Sequence, residues 1–350
     1  MRVVVAPLDW GFGHATRCIP VIRQLLELRC EVVLAGSGPS LTLLKNEFPH
    51  LTSFHLPGYN PKYSAEGSMV WTMALQLLHF VRVIRQEHRV LEKYVSENKV
   101  DVVISDNRYG CWSSRVKSIF ITHQSNILMP KRFGWLQGVV RIFNERALRK
   151  FDGCWIPDDP GQLLSGSLIF YGKINRKINH DYIGMLSRFE FSEKAEIKYD
   201  VVAIFSGPEP QRTLLEDTVS AQLQSSRLSY FIVRGVVTPT NNWDSKGADF
   251  LTSNELQSLL LSAKVVIARS GYSTIMDLSS LGKKAIFIPT PGQTEQEYLA
   301  AKLENEGIAF FMSQHEFNLD VALLRSQNYS GFKPAKKNVL LSKAIAKLFS

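Results

Sequence analysis

The chain has 350 residues, more than one hydrophobic core usually organises, so two domains are expected. Its composition is 45% hydrophobic and 21% charged, ordinary for a folded globular protein, and excludes disorder and low complexity. The net charge of +9 fits a basic solvated surface, an anionic small substrate, an anionic membrane surface or nucleic acid. The last is set aside, because no zinc finger, helix-turn-helix or RNA-binding signature is present.

Residues 2–6 form an apolar strand at the very start, without the basic region, apolar core and cleavage site of a signal peptide. Ile19, Ile22, Leu25, Leu26 and Leu28 then recur at helical spacing, and residues 31–35 read as a second strand. Residues 71–84 are apolar but interrupted by His79 and Arg82, too short a run to span a bilayer. They suit a buried or an interfacial helix. Strands are expected at residues 100–105 and 119–122, which completes a βαβ pattern. The pattern weakens over residues 182–198, the expected interdomain connection. A second alternation follows, with strands at 201–205, 230–234, 265–268 and 285–288. Leu215, Val219 and Leu223 line one face of a helix, and Thr252 with Glu255 spells a capping box. The tail, 338–349, has helical character. The expected fold class is thus α/β, with two Rossmann-like domains. Their expected bounds are 1–183 and 184–335, with a C-terminal helix at 336–350 that packs back on the first domain. Cys18, Cys30, Cys111 and Cys154 form no C-x-x-C pair and no cluster with histidines at metal spacing, so reduced, mostly buried thiols in a cytoplasmic protein are expected.

In doubly wound sheets, ligands bind outside the carboxyl ends of the strands. Four motifs occupy such loops. Gly11-Phe12-Gly13-His14 follows the first strand; its glycines allow close backbone approach, and His14 can act as a base or simply cap the helix. Ser105-Asp106-Asn107 ends a central strand, where Asp106 is a base, a sugar ligand or an Asx-turn residue. His123 follows the next strand with the same ambiguity. Ser206-Gly207 opens the second domain where a diphosphate would meet a helix N-terminus. The fourth motif is the most informative. Arg269-Ser270-Gly271-Tyr272-Ser273-Thr274-Ile275-Met276-Asp277 joins a strand to a helix. Ile275, Leu278 and Leu281 share its buried face, and helical geometry puts Asp277 off that face, able to accept from a ribose. Glu295 and Gln296 start a further helix and can read sugar hydroxyls.

Residues 268–300 resemble the donor-binding half of the MurG-like glycosyltransferases, whose R-S-G-x-x-T-x-x-E pattern is matched from Arg269 to Asp277 with Asp for Glu. The resemblance implies the GT-B fold, two Rossmann-like domains facing across a cleft. It also implies a nucleotide-sugar donor, usually a UDP-sugar. On that resemblance the donor residues are Arg188, Ser206, Gly207, Leu251, Arg269, Ser270, Gly271, Thr274, Asp277, Glu295 and Gln296. The usual G-G-S-x-G phosphate loop is absent. Gly11-Phe12-Gly13-His14 resembles the family's acceptor loop, which makes His14 the general base with Asp106 as substitute. The acceptor group is then Gly11, Gly13, His14, Asn107 and His123.

The expected chemistry is inverting, metal-independent transfer of a sugar to an unknown acceptor, saccharide or lipid-linked, as in cell-envelope polysaccharide synthesis. No cofactor is expected beyond the nucleotide-sugar co-substrate. The segment from Gly11 to Cys18 also resembles UDP-sugar hydrolases of pseudaminic acid synthesis. A non-catalytic nucleotide-sugar binder and an epimerase of similar fold are the remaining alternatives. Residues 58–68, 71–84 and 133–136 combine polar, apolar, aromatic and basic groups. Ordinary core packing accounts for their apolar side chains most simply. A peripheral contact with the inner face of the membrane is the alternative.

Overall fold

The computed structural model describes residues 1–61, 76–129, 134–135, 137–161, 164–169, 179–189, 195–236, 246–334 and 338–349. These form two compact units. One contains the described residues up to Leu186 together with those from Asn338 onward; the other runs from Ser187 to Pro334.

The first unit is built on seven parallel strands: β1 Arg2–Pro7, β2 Glu31–Gly36, β3 Thr52–His55, β4 Val102–Asp106, β5 Lys117–Ile121, β6 Gly153–Ile156 and β7 His180–Tyr182. Their order is β3-β2-β1-β4-β5-β6-β7, so the sheet reverses direction of growth between β1 and β4. Central strands read as unbroken apolar runs because both faces are covered. Val4, Ala6, Val33, Ala35 and Val103 pack with Leu91 and Val95 of the helix Leu77–Glu97. The alternate residues Val3, Val5, Val32 and Leu34 are equally buried, and the helix Gly13–Glu27 packs against β1 and β2. Gly110 touches the helix Leu77–Glu97 so closely that a Cβ there would collide with the Ile84 carbonyl oxygen. Of the apolar segment 71–84, only residues from Gln76 onward are among those described, and the helix begins at Leu77.

The second unit has six parallel strands: β8 Tyr199–Ile204, β9 Tyr230–Val233, β10 Gly247–Ala248, β11 Ala263–Ala268, β12 Lys284–Phe287 and β13 Phe310–Phe311. The order is β10-β9-β8-β11-β12-β13, with the reversal between β8 and β11. Leu215, Val219 and Leu223 of the helix Gln211–Gln224 are fully buried against Val201, Ala203, Ile232, Ile267 and Ile286. The capping box forms: the Thr252 hydroxyl accepts from the Glu255 amide at 3.4 Å, and the Thr252 amide donates to Glu255 Oε2 at 2.9 Å.

The C-terminal helix Val339–Ala346 joins the first unit. Asn338 caps it through Oδ1 and donates from Nδ2 to the Ile183 and Met185 carbonyls at 2.8 and 3.0 Å. Gly184 beneath has φ 70°, and a side chain there would collide with Asn338. All four cysteines are buried free thiols. No helix of the described residues is long and apolar enough to cross a membrane.

Candidate active site

At the β1/β4 reversal the two flanking loops leave in opposite directions and open a crevice. Pro7 is in register with Asp106, so the loop after β1 and the end of β4 lie side by side. His14 enters from the first turn of the helix Gly13–Glu27, and its Nδ1 lies 2.7 Å from Asp106 Oδ1. A lone pair on Nδ1 would face the carboxylate's own lone pairs at that distance. Arg17 Nη2, which can only donate, also lies 2.9 Å from Nδ1, so Nδ1 faces both an acceptor and a donor; with its proton on Nδ1 toward Asp106, the ring would keep the lone pair of a base on Nε2. Arg17, one turn further along the same helix, grips both Asp106 oxygens through Nε and Nη2. Its Nη1 is 2.5 Å from His123 Nδ1. Burial alone would raise the Asp106 carboxyl, but Arg17 and His14 outweigh it and hold it below the usual carboxylate range. Burial, then the Arg17 charge, lowers His14 below 6.5, against the pull of Asp106. A neutral imidazole held by a buried anion is equipped to accept a proton.

Asp106, expected as the substitute base, is fully buried, with its carboxylate held by Arg17 and His14. His123 is 5% exposed and serves as a partner of Arg17. Gly11, with φ 75°, and Asn107, with φ 56°, bend the two loops around the crevice. Gly13 begins the helix.

A second charge cluster went unread in the sequence. Arg108, fully buried, donates from Nε to Pro7 O at 2.7 Å and from Nη1 to Pro57 O and Glu87 Oε1 at 3.0 and 2.5 Å. Its Nη2 reaches Ser37 Oγ at 3.0 Å. One side chain thus ties the loops after β1, β2, β3 and β4. Tyr59 donates to Glu87 Oε2 at 2.8 Å, and its amide donates to Asp9 Oδ2 at 2.9 Å. Burial raises the Glu87 carboxyl, and Arg108 opposes the rise.

In the second unit the β8/β11 reversal brings together the loops carrying Ser206-Gly207 and Arg269-Ser270-Gly271. Ser206 is half-buried, and Gly207 is exposed with φ 109°. Several side chains expected to face a donor are turned into the protein. Arg269 is 1% exposed. Its Nη1 donates to Ile288 O and Pro289 O at 3.0 and 3.1 Å, and its Nη2 to Gln211 O and Gln314 Oε1 at 2.7 Å each. The Ser270 hydroxyl donates to Gln296 O at 2.8 Å, and Gln296 Oε1 accepts from the Thr290 amide at 2.8 Å. Gly271 caps the helix Tyr272–Ser280, with half-buried Thr274 in its first turn. Leu251, half-buried, precedes the capping box, and Glu295 stands in the first turn of the helix Thr294–Asn305.

Asp277 also departs from expectation. It is 6% exposed, not off the buried face, because residues 187–188 close over it. Ser187 Oγ and the Arg188 amide donate to Oδ1 at 2.9 and 3.2 Å, and Arg188 Nε donates to Oδ2 at 3.1 Å. Pairing with a residue 89 positions away leaves no periodic trace in sequence. A further unread chain of charges runs behind the carboxyl ends of β8 to β10. Arg212 joins Glu209 and Glu216 at 2.6 and 2.5 Å, and Arg234 joins Glu216 and Asp249 at 2.5 and 3.3 Å. Among the described residues no group of three or more His, Cys, Asp or Glu side chains could hold a metal ion.

Two parallel Rossmann-like sheets with a histidine–aspartate pair at one reversal and an R-S-G loop at the other narrow the family. Residues 236–348 match the model of the glycosyltransferase family 28 C-terminal domain. The chain is a GT-B glycosyltransferase related to the MurG and family 28 enzymes. It is 26% identical over 333 residues to an uncharacterised glycosyltransferase of Methanosarcina acetivorans, covering 89% of this chain and 86% of that protein. A second relative is the UDP-N-acetylglucosamine–N-acetylmuramyl-(pentapeptide) pyrophosphoryl-undecaprenol N-acetylglucosamine transferase of Bacillus pumilus. It is 22% identical over 343 residues, covering 91% of this chain and 88% of that protein. Among solved structures, the spinosyn rhamnosyltransferase SpnG complexed with thymidine diphosphate superposes with a TM-score of 0.60 at 15% identity, covering 100% of this chain and 92% of that one. In this glycosyltransferase the family 28 match begins beyond β9 and so includes the whole R-S-G loop and the helix after it.

Proposed function

We propose that this glycosyltransferase moves a sugar from a nucleoside diphosphate donor to an acceptor hydroxyl by a single inverting displacement, without a metal. The His14–Asp106 pair carries the proposal. The acceptor oxygen forms its bond to the anomeric carbon as the bond from that carbon to the diphosphate oxygen breaks. The departing electron pair stays on the diphosphate, and the acceptor proton passes to His14 Nε2. Asp106 stabilises the imidazolium that forms.

The second unit suits the diphosphate. Arg269 is a buried guanidinium whose described partners are all neutral oxygens, and burial lowers its pKa to about 10. Among the described residues no carboxylate pairs with it, and an anion bound nearby would balance its charge. Thr290, fully buried on the main chain that Arg269 holds, has a hydroxyl without a hydrogen-bond partner. Ser206, the Gly207 amide and the start of the helix Tyr272–Ser280 complete a cradle of donors.

The test is calorimetric titration with UDP, dTDP, GDP and ADP, followed by donor-consumption assays with and without acceptor extracts. Binding of one or two diphosphates and consumption that requires acceptor are the expected results. Consumption in water alone would assign a hydrolase, and no binding well above millimolar concentration would remove the nucleotide-sugar reading.

A lipid-linked acceptor is favoured by the helix Gln137–Leu148. Val139, Ile142 and Phe143 are 63%, 47% and 60% exposed; nearby Trp135, in the segment 133–136 for which core packing was the simpler expectation, is 77% exposed. Exposed Arg146, Arg149 and Lys150 follow this apolar stripe. Such a surface suits an anionic bilayer, and the Bacillus pumilus relative acts on a pyrophosphoryl-undecaprenol acceptor by its name. The wild-type protein is expected to float with phosphatidylglycerol vesicles. Val139→Ser/Phe143→Ser should remain in the soluble fraction with its nucleotide affinity unchanged.

A further inference from the structure

Arg17 is 1% exposed and lies one turn past the start of the helix Gly13–Glu27, near the end of a helix that favours anions over cations. Burying a guanidinium is costly, and an apolar side chain of similar volume commonly serves stability as well or better. The placement of Arg17 therefore calls for a reason beyond packing.

Its contacts provide one. Nε and Nη2 form a fork on the two Asp106 oxygens. Nη1 donates to His123 Nδ1 at 2.5 Å, so that ring carries its lone pair on Nδ1. Nη2 also reaches His14 Nδ1 at 2.9 Å, the nitrogen that stands 2.7 Å from Asp106 Oδ1. Cys18 Sγ donates to Asp106 Oδ2 at 3.8 Å. The charged and titratable groups facing His14 and its carboxylate are thus Arg17 and Cys18 of its own helix, Asp106 at the end of β4 and His123 beyond β5. A carboxylate gripped at both oxygens has its plane fixed, and Oδ1 is then held in the direction of the imidazole.

The charges act together with this geometry. An ionised Asp106 beside a lone histidine would favour the imidazolium. With Arg17 present the anion is already balanced while His14 is neutral, and uptake of a proton leaves excess positive charge beside a guanidinium. Burial first and Arg17 second lower His14, against the pull of Asp106. A base in that setting stays neutral at rest and readily gives up the proton it has taken.

We infer that Arg17 is a positioning residue for the general base: wedged between His123 and Asp106, its guanidinium turns the carboxylate toward His14 Nδ1 and sets a fixed positive charge beside that nitrogen. The inference rests on the reading of His14 as the base and deepens it.

The experiment uses the full-length protein with isotope-labelled histidine, eight rings in all, and no donor or acceptor added. His14→Ala and His123→Ala assign the two ring signals, and NMR follows each titration between about pH 5 and 8. Thermal melts of each variant establish folding. Wild-type His14 is expected to titrate below 6.5 and to give one sharp set of ring signals. Arg17→Gln removes the charge and the fork while Asp106 stays, so His14 should titrate at a higher pH than in the wild type. Arg17→Lys keeps a charge without the fork. There His14 should titrate below its Arg17→Gln value, with ring signals broadened or doubled by a carboxylate that is no longer held. A residue that only packs would change the melts and leave the His14 titration in place. Unchanged titration in Arg17→Gln would overturn the inference, and so would an Arg17→Lys protein with the sharp signals of the wild type. Should Arg17→Gln not fold, the ring signals of Arg17→Lys still decide. The ring-nitrogen shifts report the tautomer in the same spectra. Wild-type His14 with its proton on Nε2 at neutral pH would remove the base reading and this inference with it, whereas an unmoved titration removes the inference alone.

Discussion

His14→Ala lowers kcat by about 10²- to 10⁴-fold, the usual contribution of a positioned general base, while nucleotide affinity stays within about twofold. The separation follows from the architecture. His14 belongs to the first unit and the proposed donor groups to the second, so removing the imidazole takes away proton transfer without disturbing a phosphate contact. The wild-type pH profile gives a second reading. Burial and Arg17 lower His14 below 6.5, so the base is neutral and active above that folded-state pKa. The kcat/KM profile should therefore show an acid limb, falling only below pH 6.5, and stay level through neutrality. A profile that keeps the same acid limb in His14→Ala would assign the base elsewhere. Calorimetry with UDP, run alongside, shows whether the variant is still folded and competent to bind.

Asp106→Ala is the more destructive change, because it acts on stability as well as rate. It leaves the Arg17 guanidinium, 1% exposed, without its anion, and breaking one side of a buried pair costs about 3–5 kcal/mol. Equilibrium urea unfolding should show that loss in the first unit, with the second unit's transition in place. Asp106→Asn retains shape and should lose less stability, yet it should also lose most of the activity. An amide can present its NH₂ to Nδ1 and so turn the imidazole to the wrong tautomer. The sign with pH is fixed by the lowered pKa of Asp106. Its stabilising contribution is complete above the ordinary value of 3.8 and is lost as pH falls through the depressed folded value. A milder loss from Asp106→Ala than from an exposed control such as Asp320→Ala would contradict the buried-pair account.

Much of this organisation could be read from the order of residues. Central strands such as β4 and β11 declare themselves because both faces are covered, and their ends shift by only one or two residues from the expected ranges. Strands β3, β6, β7, β10 and β13 were not expected; all are short, and the two or three residues of the last three carry no alternation to detect. The loops at the sheet reversals were found because glycine and histidine between a strand and a helix are locally distinctive. What stayed hidden was which charges are buried. Arg17, Glu87 and Arg108 look like surface residues in sequence, and only partners brought from far along the chain neutralise them. One signal was available. His14, Arg17 and Cys18 share a helix face at spacings of three and four, which places Arg17 on the side of the helix that meets Asp106. The same blindness moved Asp277. Helical geometry alone put it off the core face, and the covering segment arrives from residue 187.

The return of the C-terminal helix to the first unit has a consequence for biosynthesis. Lys347 pairs with Asp181, Lys117 Nζ donates to Lys347 O at 3.1 Å, Gln24 bonds Ser342, and Asn338 closes on residues 183 and 185. The ribosome delivers the body of that unit first and its last helix only after the whole second unit has emerged. At about 5–20 residues per second, roughly 150 intervening residues impose a wait of roughly 8–30 s. During that interval the surface of the first unit that receives Leu341, Ala344 and Ile345 stays uncovered. The second unit is drawn from one continuous stretch of the described chain and can be completed while the first is still waiting. Nascent chains of this glycosyltransferase thus finish in the reverse of the order in which they begin.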